Sequence, residues 1–311
     1  MKVDRDLIII GGGGAGLTAA QYGARANLNV LLIEEMAPGG QALIINDLEN
    51  YPGFPDVISG FEFSEKMEKQ ARNFGSEFLA ASVKKIIKKD KIFHVETTKG
   101  EFTCYTVILC TGAKHRELNI PGEKEYSGKG ISYCATCDGP FFRGKKMFVV
   151  GGGDAACDEA MFLANLTDSI VHIHRRDKFR AQKSLADRVQ RNKNIEVRFN
   201  TVMKEIKGDA KVEKVILENL ETGEVYEEET DAVFIFVGSI PQTQLAAEME
   251  KDDGGYIKTN QRMETGEPGF FVAGDVRATP FRQLVVAAGE GAIAAHSASQ
   301  YIDELKGEAY N

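Results

Sequence analysis

Twice along this 311-residue chain an apolar strand runs into a glycine-rich turn and then into a helix of small residues. The first instance is the strand Leu7–Ile10, followed by Gly11, Gly13 and Gly16 in the pattern G-x-G-x-x-G. A predicted helix over Leu17–Ala26 comes next, then a strand, Val30–Ile33, that ends at Glu34 and Glu35. The glycines permit a tight turn and let the backbone approach a pyrophosphate, which would rest on the unpaired N–H groups of the helix start. A carboxylate at the end of the second strand can accept hydrogen bonds from ribose hydroxyls. A lone glycine motif would carry little weight. The whole frame of strand, loop, helix, strand and acid predicts a dinucleotide-binding α/β unit.

The second instance begins with the strand Met147–Val150. Gly151, Gly153 and Ala156 give G-x-G-x-x-A, with Asp154 inside the loop; a helix containing Glu159–Leu166 and an alternating strand, Ser169–Ile173, follow. This strand ends in His174, Arg175 and Arg176, with Arg180 shortly after, where the first unit carries its acids. Guanidinium groups suit a ribose 2′-phosphate that a carboxylate would repel, so the second site is expected to prefer NADPH over NADH. Two dinucleotide units imply two dinucleotides. The first is assigned to FAD, because a hydride from NADPH needs an acceptor within the protein. In the last third, an apolar strand, Gly269–Ala273, stops at Gly274-Asp275, and Arg282-Gln283 precedes a small-residue helix over Val285–Ala295. Asp275 would serve either a flavin polyol or a turn or helix cap.

Five cysteines occur, at 104, 110, 134, 137 and 157. An odd number in a long acidic chain does not read as a secreted disulfide framework, so one close pair points to redox chemistry or metal. Cys134-Ala135-Thr136-Cys137-Asp138 lies ahead of the second unit. Two intervening residues allow a disulfide across a helical turn, and amide N–H groups at a helix start would lower a thiolate pKa. A zinc site would need a second Cys or His pair at ligand spacing, which the sequence lacks. Cys104, Cys110 and Cys157 fit buried strand and helix positions. Asp138 is open between a capping acid and a proton donor. The net charge of −8 argues against nucleic acid or an anionic membrane as partner, and no apolar run has the ~18–20 residues a bilayer span requires. The N-terminus passes straight into a strand pattern, so a cytoplasmic location is expected.

Taken together, these residues resemble the low-molecular-weight, bacterial-type thioredoxin reductases, nearly end to end. The resemblance rests on the first glycine loop, Gly39-Gly40-Gln41, Glu49-Asn50-Tyr51-Pro52-Gly53, the Cys-Ala-Thr-Cys-Asp string, Gly151–Ala156, His174-Arg175-Arg176 with Phe179-Arg180-Ala181, and Gly274-Asp275 with Arg282-Gln283. It implies two Rossmann-like domains, an FAD domain of residues 1–115 and 243–311 interrupted by an NADPH domain of 116–242. It implies a homodimer that reduces thioredoxin, with one domain rotating against the other so that the disulfide and the nicotinamide take turns at the flavin. By the same resemblance, Cys137 would lie next to the flavin, Cys134 would attack the partner disulfide and Asp138 would donate the proton. Gly11, Gly13, Gly16, Glu34, Glu35, Gly40, Gln41, Asn50, Val83, Gly112, Gly274, Asp275, Arg282, Gln283 and Leu284 would contact FAD. Gly151, Gly153, Asp154, Ala156, His174, Arg175, Arg176 and Arg180 would contact NADPH. Lys129, Phe141 and Phe142 are open between docking a thioredoxin and a core role. One departure is Gly14, where many relatives place proline. The absence of a long N-terminal extension argues against the related peroxiredoxin-reducing flavoproteins. Rival readings are a flavoprotein acting on another small dithiol protein, a ferredoxin or flavin reductase, and a metal-stabilised dinucleotide sensor. The central C-x-x-C disfavours the ferredoxin or flavin reductase, and the second glycine loop with Arg175 and Arg176 disfavours a further rival, a disulfide oxidase or ferredoxin-driven reductase without a pyridine nucleotide site; metal analysis beside a flavin spectrum separates the sensor.

Overall fold

The structure, a computed structural model, describes residues 3–45, Leu48 and 50–307, the side chain of Ile44 excepted. Glu49 of the resemblance lies outside the described residues. The chain opens with β1 (Arg5–Ile10), α1 (Gly14–Arg25) and β2 (Val30–Glu34), followed by α2 (Gly60–Asn73) and β3 (Glu77–Ala80). A meander of β4 (Val83–Lys89), β5 (Ile92–Thr97) and β6 (Gly100–Leu109) leads to the short β7 (Ala113–His115). Next come β8 (Ile131–Ser132), α3 (Ala135–Asp138), β9 (Met147–Gly151), α4 (Asp154–Leu163), β10 (Ile170–Ile173), α5 (Lys183–Arg191) and β11 (Ile195–Arg198). A second meander, β12 (Thr201–Gly208), β13 (Val212–Asn219) and β14 (Val225–Glu229), precedes β15 (Ala232–Phe236) and β16 (Ser239–Pro241). The chain finishes with β17 (Phe270–Val272) and α6 (Leu284–Lys306).

These elements form two compact units, Met1–Lys114 with Ile240–Asn311, and His115–Ser239. The division falls inside the ribbon made by β7 and β16. In the first unit β3, β2, β1, β6 and β17 pair in that order, all parallel. The ten-residue β6 joins the parallel and antiparallel parts of one seven-stranded sheet: its first half pairs antiparallel with β5, its second half parallel with β1 and β17. The second unit repeats the plan, with a parallel sheet in the order β11-β10-β9-β15-β8 and an antiparallel meander, β12-β13-β14.

Continuous apolar strands are what a parallel sheet covered on both faces requires. In β1, Leu7 and Ile9 join Leu17, Ala19, Ala294 and Ala298 of the flanking helices, while Ile8 and Ile10 join Val95, Val107 and Val272 on the other face. In β9, Met147 and Val149 pack with Cys157, Leu163 and Val189; Phe148 and Val150 pack with Met203, Val215 and Leu217 of the meander. Each buried Leu, Ile, Val, Met or Phe among these contributes about 1.5–3 kcal/mol.

The helices depart from the sequence expectation at their ends. Both motif helices start inside the glycine motif, α1 at Gly14 and α4 at Asp154, because the loop glycines act as N-caps and the following residues are already helical. α4 also stops earlier than expected, at Leu163, where Leu166 N–H turns back to the Leu163 carbonyl. α6 does not end near Ala295. Buried Ala298 and Ile302 carry its apolar stripe on to Gly307, which stops the helix in the left-handed region at φ 73°. Among the described residues, no helix is long and apolar enough to cross a membrane.

Candidate active site

The first glycine loop is closed by contacts that only glycine permits. Gly11 has φ 102°, and a Cβ there would lie 2.4 Å from the Cys110 carbonyl oxygen; one at Gly16 would lie 1.8 Å from the Gly11 oxygen. Gly13 caps α1 without a side chain, and the first turn holds no acid, which leaves its amide N–H groups for an anion. Gly39 N–H donates to the Gly12 carbonyl at 2.7 Å, and a Cβ at Gly40 would come within 3.0 Å of Gly13 Cα. Glu34 lies at the loop edge. Its Oε2 accepts from Gly12 N–H at 2.6 Å and its Oε1 from Met36 N–H at 3.0 Å, while Glu35 is exposed just past β2. Ala81 N–H donates to the Glu34 carbonyl, so the run into Val83 leaves from the end of β2. Gly14 is the first residue of α1, a position where proline is also at home, and Leu284 packs over it.

Several other expected FAD residues meet in the same unit. The Gln41 side-chain amide donates to the Ala113 carbonyl, next to Gly112 at φ 67°, where a Cβ would meet open space. Asn50 Nδ2 donates to Gln283 Oε1 at 3.3 Å. Gln283, not Asp275, is the N-cap residue of α6, which removes the helix-cap reading of Asp275. Asp275 lies in a turn closed by Arg277 N–H donating to the Gly274 carbonyl. Burial pushes its carboxyl up, Arg282 pulls it down and Glu290 pushes it up again, so Arg282 and Glu290 both act on it. A glycine cradle, uncapped helix amides and a carboxylate at the second strand fit a dinucleotide such as FAD.

The second loop follows the same plan with different chemistry at the strand end. A Cβ at Gly151 would lie 2.4 Å from the Phe236 oxygen and 2.7 Å from Ala156 Cβ, and Gly153 caps α4 without a side chain. Asp154 Oδ1 accepts from Gln182 N–H at 2.7 Å, and Arg180 N–H donates to the Gly152 carbonyl at 2.7 Å. The His174 ring lies so close to Gly152 that a Cβ there would be 2.2 Å away. Burial lowers the His174 pKa, and Arg180, Arg176 and Arg175 lower it further, so all three guanidinium groups act on one ring. Its Nε2 is buried with no hydrogen-bond partner among the described residues. Arg175, Arg176 and Arg180 are exposed. Three cations around an unpartnered ring nitrogen and a glycine loop fit a phosphorylated nicotinamide nucleotide.

The same unit carries the cysteine pair. Cys134 and Cys137 form a disulfide. Cys134 is the N-cap of α3, and its Sγ accepts from Cys137 N–H at 3.2 Å, with Thr136 Oγ1 at 3.4 Å. An amide aimed at a sulfur favours the thiolate over the thiol. Asp138 sits inside α3, its N–H donating to the Cys134 carbonyl, and its side chain does not cap the following turn, Gly139–Phe142. Gly139 lets that turn lie on α4, since a Cβ there would be 2.7 Å from Leu163 Cδ2. Phe142 joins the core, packed edge-on against Phe234, whereas Phe141 is 43% exposed and Lys129 is exposed.

Sequence reasoning missed Glu159 on α4. It accepts from Ala135 N–H of α3, and burial, with help from Asp158, pushes its carboxyl up to about 7. Nothing in the local pattern marks it, because its partner lies on another element. The remaining cysteines are inert: burial raises the pKa of each, that of Cys157 to about 12.

The Pyridine nucleotide-disulphide oxidoreductase family matches residues 5–291. The chain belongs to this family. It is 53% identical over 306 residues to a thioredoxin reductase of Treponema pallidum, covering 98% of this chain and 100% of that protein. It is 44% identical to a thioredoxin reductase of Bacillus subtilis, covering 97% and 96%. The crystal structure of thioredoxin reductase from Streptococcus pyogenes superposes with a TM-score of 0.92 at 44% identity, covering 96% of this chain and 98% of that one. Membership of the pyridine nucleotide-disulphide oxidoreductases implies use of a nicotinamide nucleotide and a flavin, and Cys134–Cys137 is the disulfide the family description calls for.

Proposed function

We propose that the chain reduces the disulfide of thioredoxin with electrons from NADPH, through FAD in the first unit and the Cys134–Cys137 pair in the second. The observation that carries this reading is the disulfide on the first turn of α3, with one sulfur accepting an amide N–H, in the unit that also holds the second glycine loop and the arginines. Bound in its unit, FAD supplies a two-electron relay from the nicotinamide to the disulfide. Arg175, Arg176 and Arg180 bind and orient NADPH by its 2′-phosphate. Gly11–Gly16, Glu34 and the Gly274–Arg282 segment hold FAD.

Reduction of the Cys134–Cys137 bond takes two electrons and two protons and leaves two thiols. Cys134, its thiolate favoured by the Cys137 amide, attacks one sulfur of the substrate disulfide; that bond breaks, and the departing sulfur takes a proton. Cys137 then attacks the Cys134 sulfur of the mixed disulfide. The substrate leaves as a dithiol, and the Cys134–Cys137 bond re-forms. Asp138, one residue from Cys137 on the same short helix, is assigned to supply the leaving-group proton, and exposed Phe141 and Lys129 to meet the substrate's rim. A homodimer is supported by Tyr22 of α1 and by Val285 and Ile293 of α6, large apolar residues left at least 40% exposed on two helices that pack together. Reduced cysteines are at home in the cytoplasm.

Cys137→Ser tests the relay. The purified variant should stay yellow and its flavin should still bleach with NADPH, while thioredoxin reduction falls by at least about 10³-fold. Turnover persisting in that variant would contradict the assignment.

A further inference from the structure

α6 carries a buried acid that neither glycine motif uses. Glu290 is 6% exposed; its Oε2 accepts from Gly274 N–H at 2.8 Å and its Oε1 from Arg277 Nη1. Arg277 Nε in turn donates to Thr259 Oγ1 at 2.9 Å. Glu290 therefore ties α6 to both ends of the turn that carries Asp275, which Arg277 N–H closes by donating to the Gly274 carbonyl at 3.0 Å.

Little freedom is left in this arrangement. Gly274 sits at φ 77°, with Ala15 Cβ 2.9 Å from where its own Cβ would be, so the turn cannot retreat toward α1. Gly291, next to Glu290, lies directly on α1; a Cβ there would be 2.1 Å from the Ala15 oxygen. The carboxylate is thus delivered to the Gly274 amide by a helix that is itself clamped. A buried ion pair is weak support for stability, because desolvating two charges offsets most of their attraction, and an apolar pair would fill the space as well. What the pair does supply is direction: two fixed hydrogen bonds to one turn.

We propose that Glu290, held by Arg277, is a positioning residue for the flavin site, fixing the Gly274–Arg277 turn so that Asp275 presents its carboxylate to the polyol of FAD. The inference rests on the reading that FAD occupies the first unit. Glu290 does not touch the cofactor; it acts through Gly274 and Asp275.

The test is FAD titration of flavin-stripped protein, followed by fluorescence quenching and by the visible circular dichroism of the bound flavin. Glu290→Ala should raise the FAD Kd about tenfold or more, because a buried amide loses its acceptor, and should alter the dichroism. Glu290→Gln keeps a carbonyl for Gly274 N–H but turns an amide N–H toward Arg277, and should give a Kd between those of the parent and Glu290→Ala. If Glu290→Ala does not fold, Thr259→Val, which removes only the outer hydrogen bond to Arg277, should weaken FAD about threefold. A folded Glu290→Ala or Thr259→Val with parental Kd and dichroism overturns the proposal, as does a Gln variant no better than Ala. A parent chain that takes up no flavin overturns the underlying assignment instead, and the proposal with it.

Discussion

The two glycine loops share a backbone plan and part company at the third motif position and at the strand end. In the first unit a Cβ on Gly16 would sit 1.8 Å from the Gly11 oxygen, so the loop and helix touch backbone to backbone. In the second, Ala156 already carries a Cβ, packed under Gly151. At the strand end the first unit has Glu34 bonded to the Gly12 amide, and the second has a histidine lying on Gly152, its pKa lowered by burial and by Arg180, Arg176 and Arg175. On the proposed reading, a single scaffold would serve two different dinucleotides because the groups at the strand ends, outside the shared turn, differ in charge.

The largest effect expected from breaking this comparison is at the third position. Gly16→Ala forces a methyl into a backbone oxygen that cannot rotate away, and should cost about 3 kcal/mol and strip the purified protein of flavin. The mirror change, Ala156→Gly, adds only helix flexibility and should cost about 1 kcal/mol with flavin retained. Urea unfolding and the flavin-to-protein absorbance ratio report both. Equal effects would mean that the two loops are interchangeable.

The strand ends come next. Removing Arg175 and Arg176 together takes away two charge-assisted contacts to a 2′-phosphate and should raise the NADPH KM about 100-fold, with the NADH KM changed by less than about twofold. Steady-state kinetics with both nucleotides decide it. If both KM values rise alike, the arginines bind the shared pyrophosphate, and the contrast between the strand ends disappears.

What the sequence made legible follows from the same physics. β1 and β9 are unbroken apolar runs, and each feeds a glycine turn, so the α/β plan with two Rossmann-like units could be read from local pattern alone. The short helix at Cys134 was readable because its chemistry is local as well. Helix ends were not. α6 runs past Ala295 because Ala298 and Ile302 are buried, a tertiary fact that composition does not carry. Glu290 and Arg277 stand 13 positions apart, and Glu159 meets an amide 24 positions away, so neither pairing leaves a spacing signature. Position 275 was ambiguous until Gln283 proved to be the residue that opens α6.

The smallest effect concerns the acids that follow the second loop and have no counterpart on α1. Burial holds the Glu159 carboxyl at about 7 against an ordinary value of 4.5, with Asp158 adding to the shift and Ala135 N–H opposing it. Between those values the folded chain binds a proton that the unfolded chain has released, so the stabilising contribution is present below pH 4.5 and is lost as the pH rises through 7. Glu159→Gln keeps an acceptor for Ala135 N–H and cannot ionise. Relative to the parent, the variant should therefore gain stability between about pH 5 and pH 8, by something on the order of 1 kcal/mol given that water reaches part of the side chain. Urea midpoints at the two pH values measure the gap. A gap that stays constant would mean that Glu159 titrates as an ordinary surface acid, and that α4 differs from α1 in sequence but not in electrostatics.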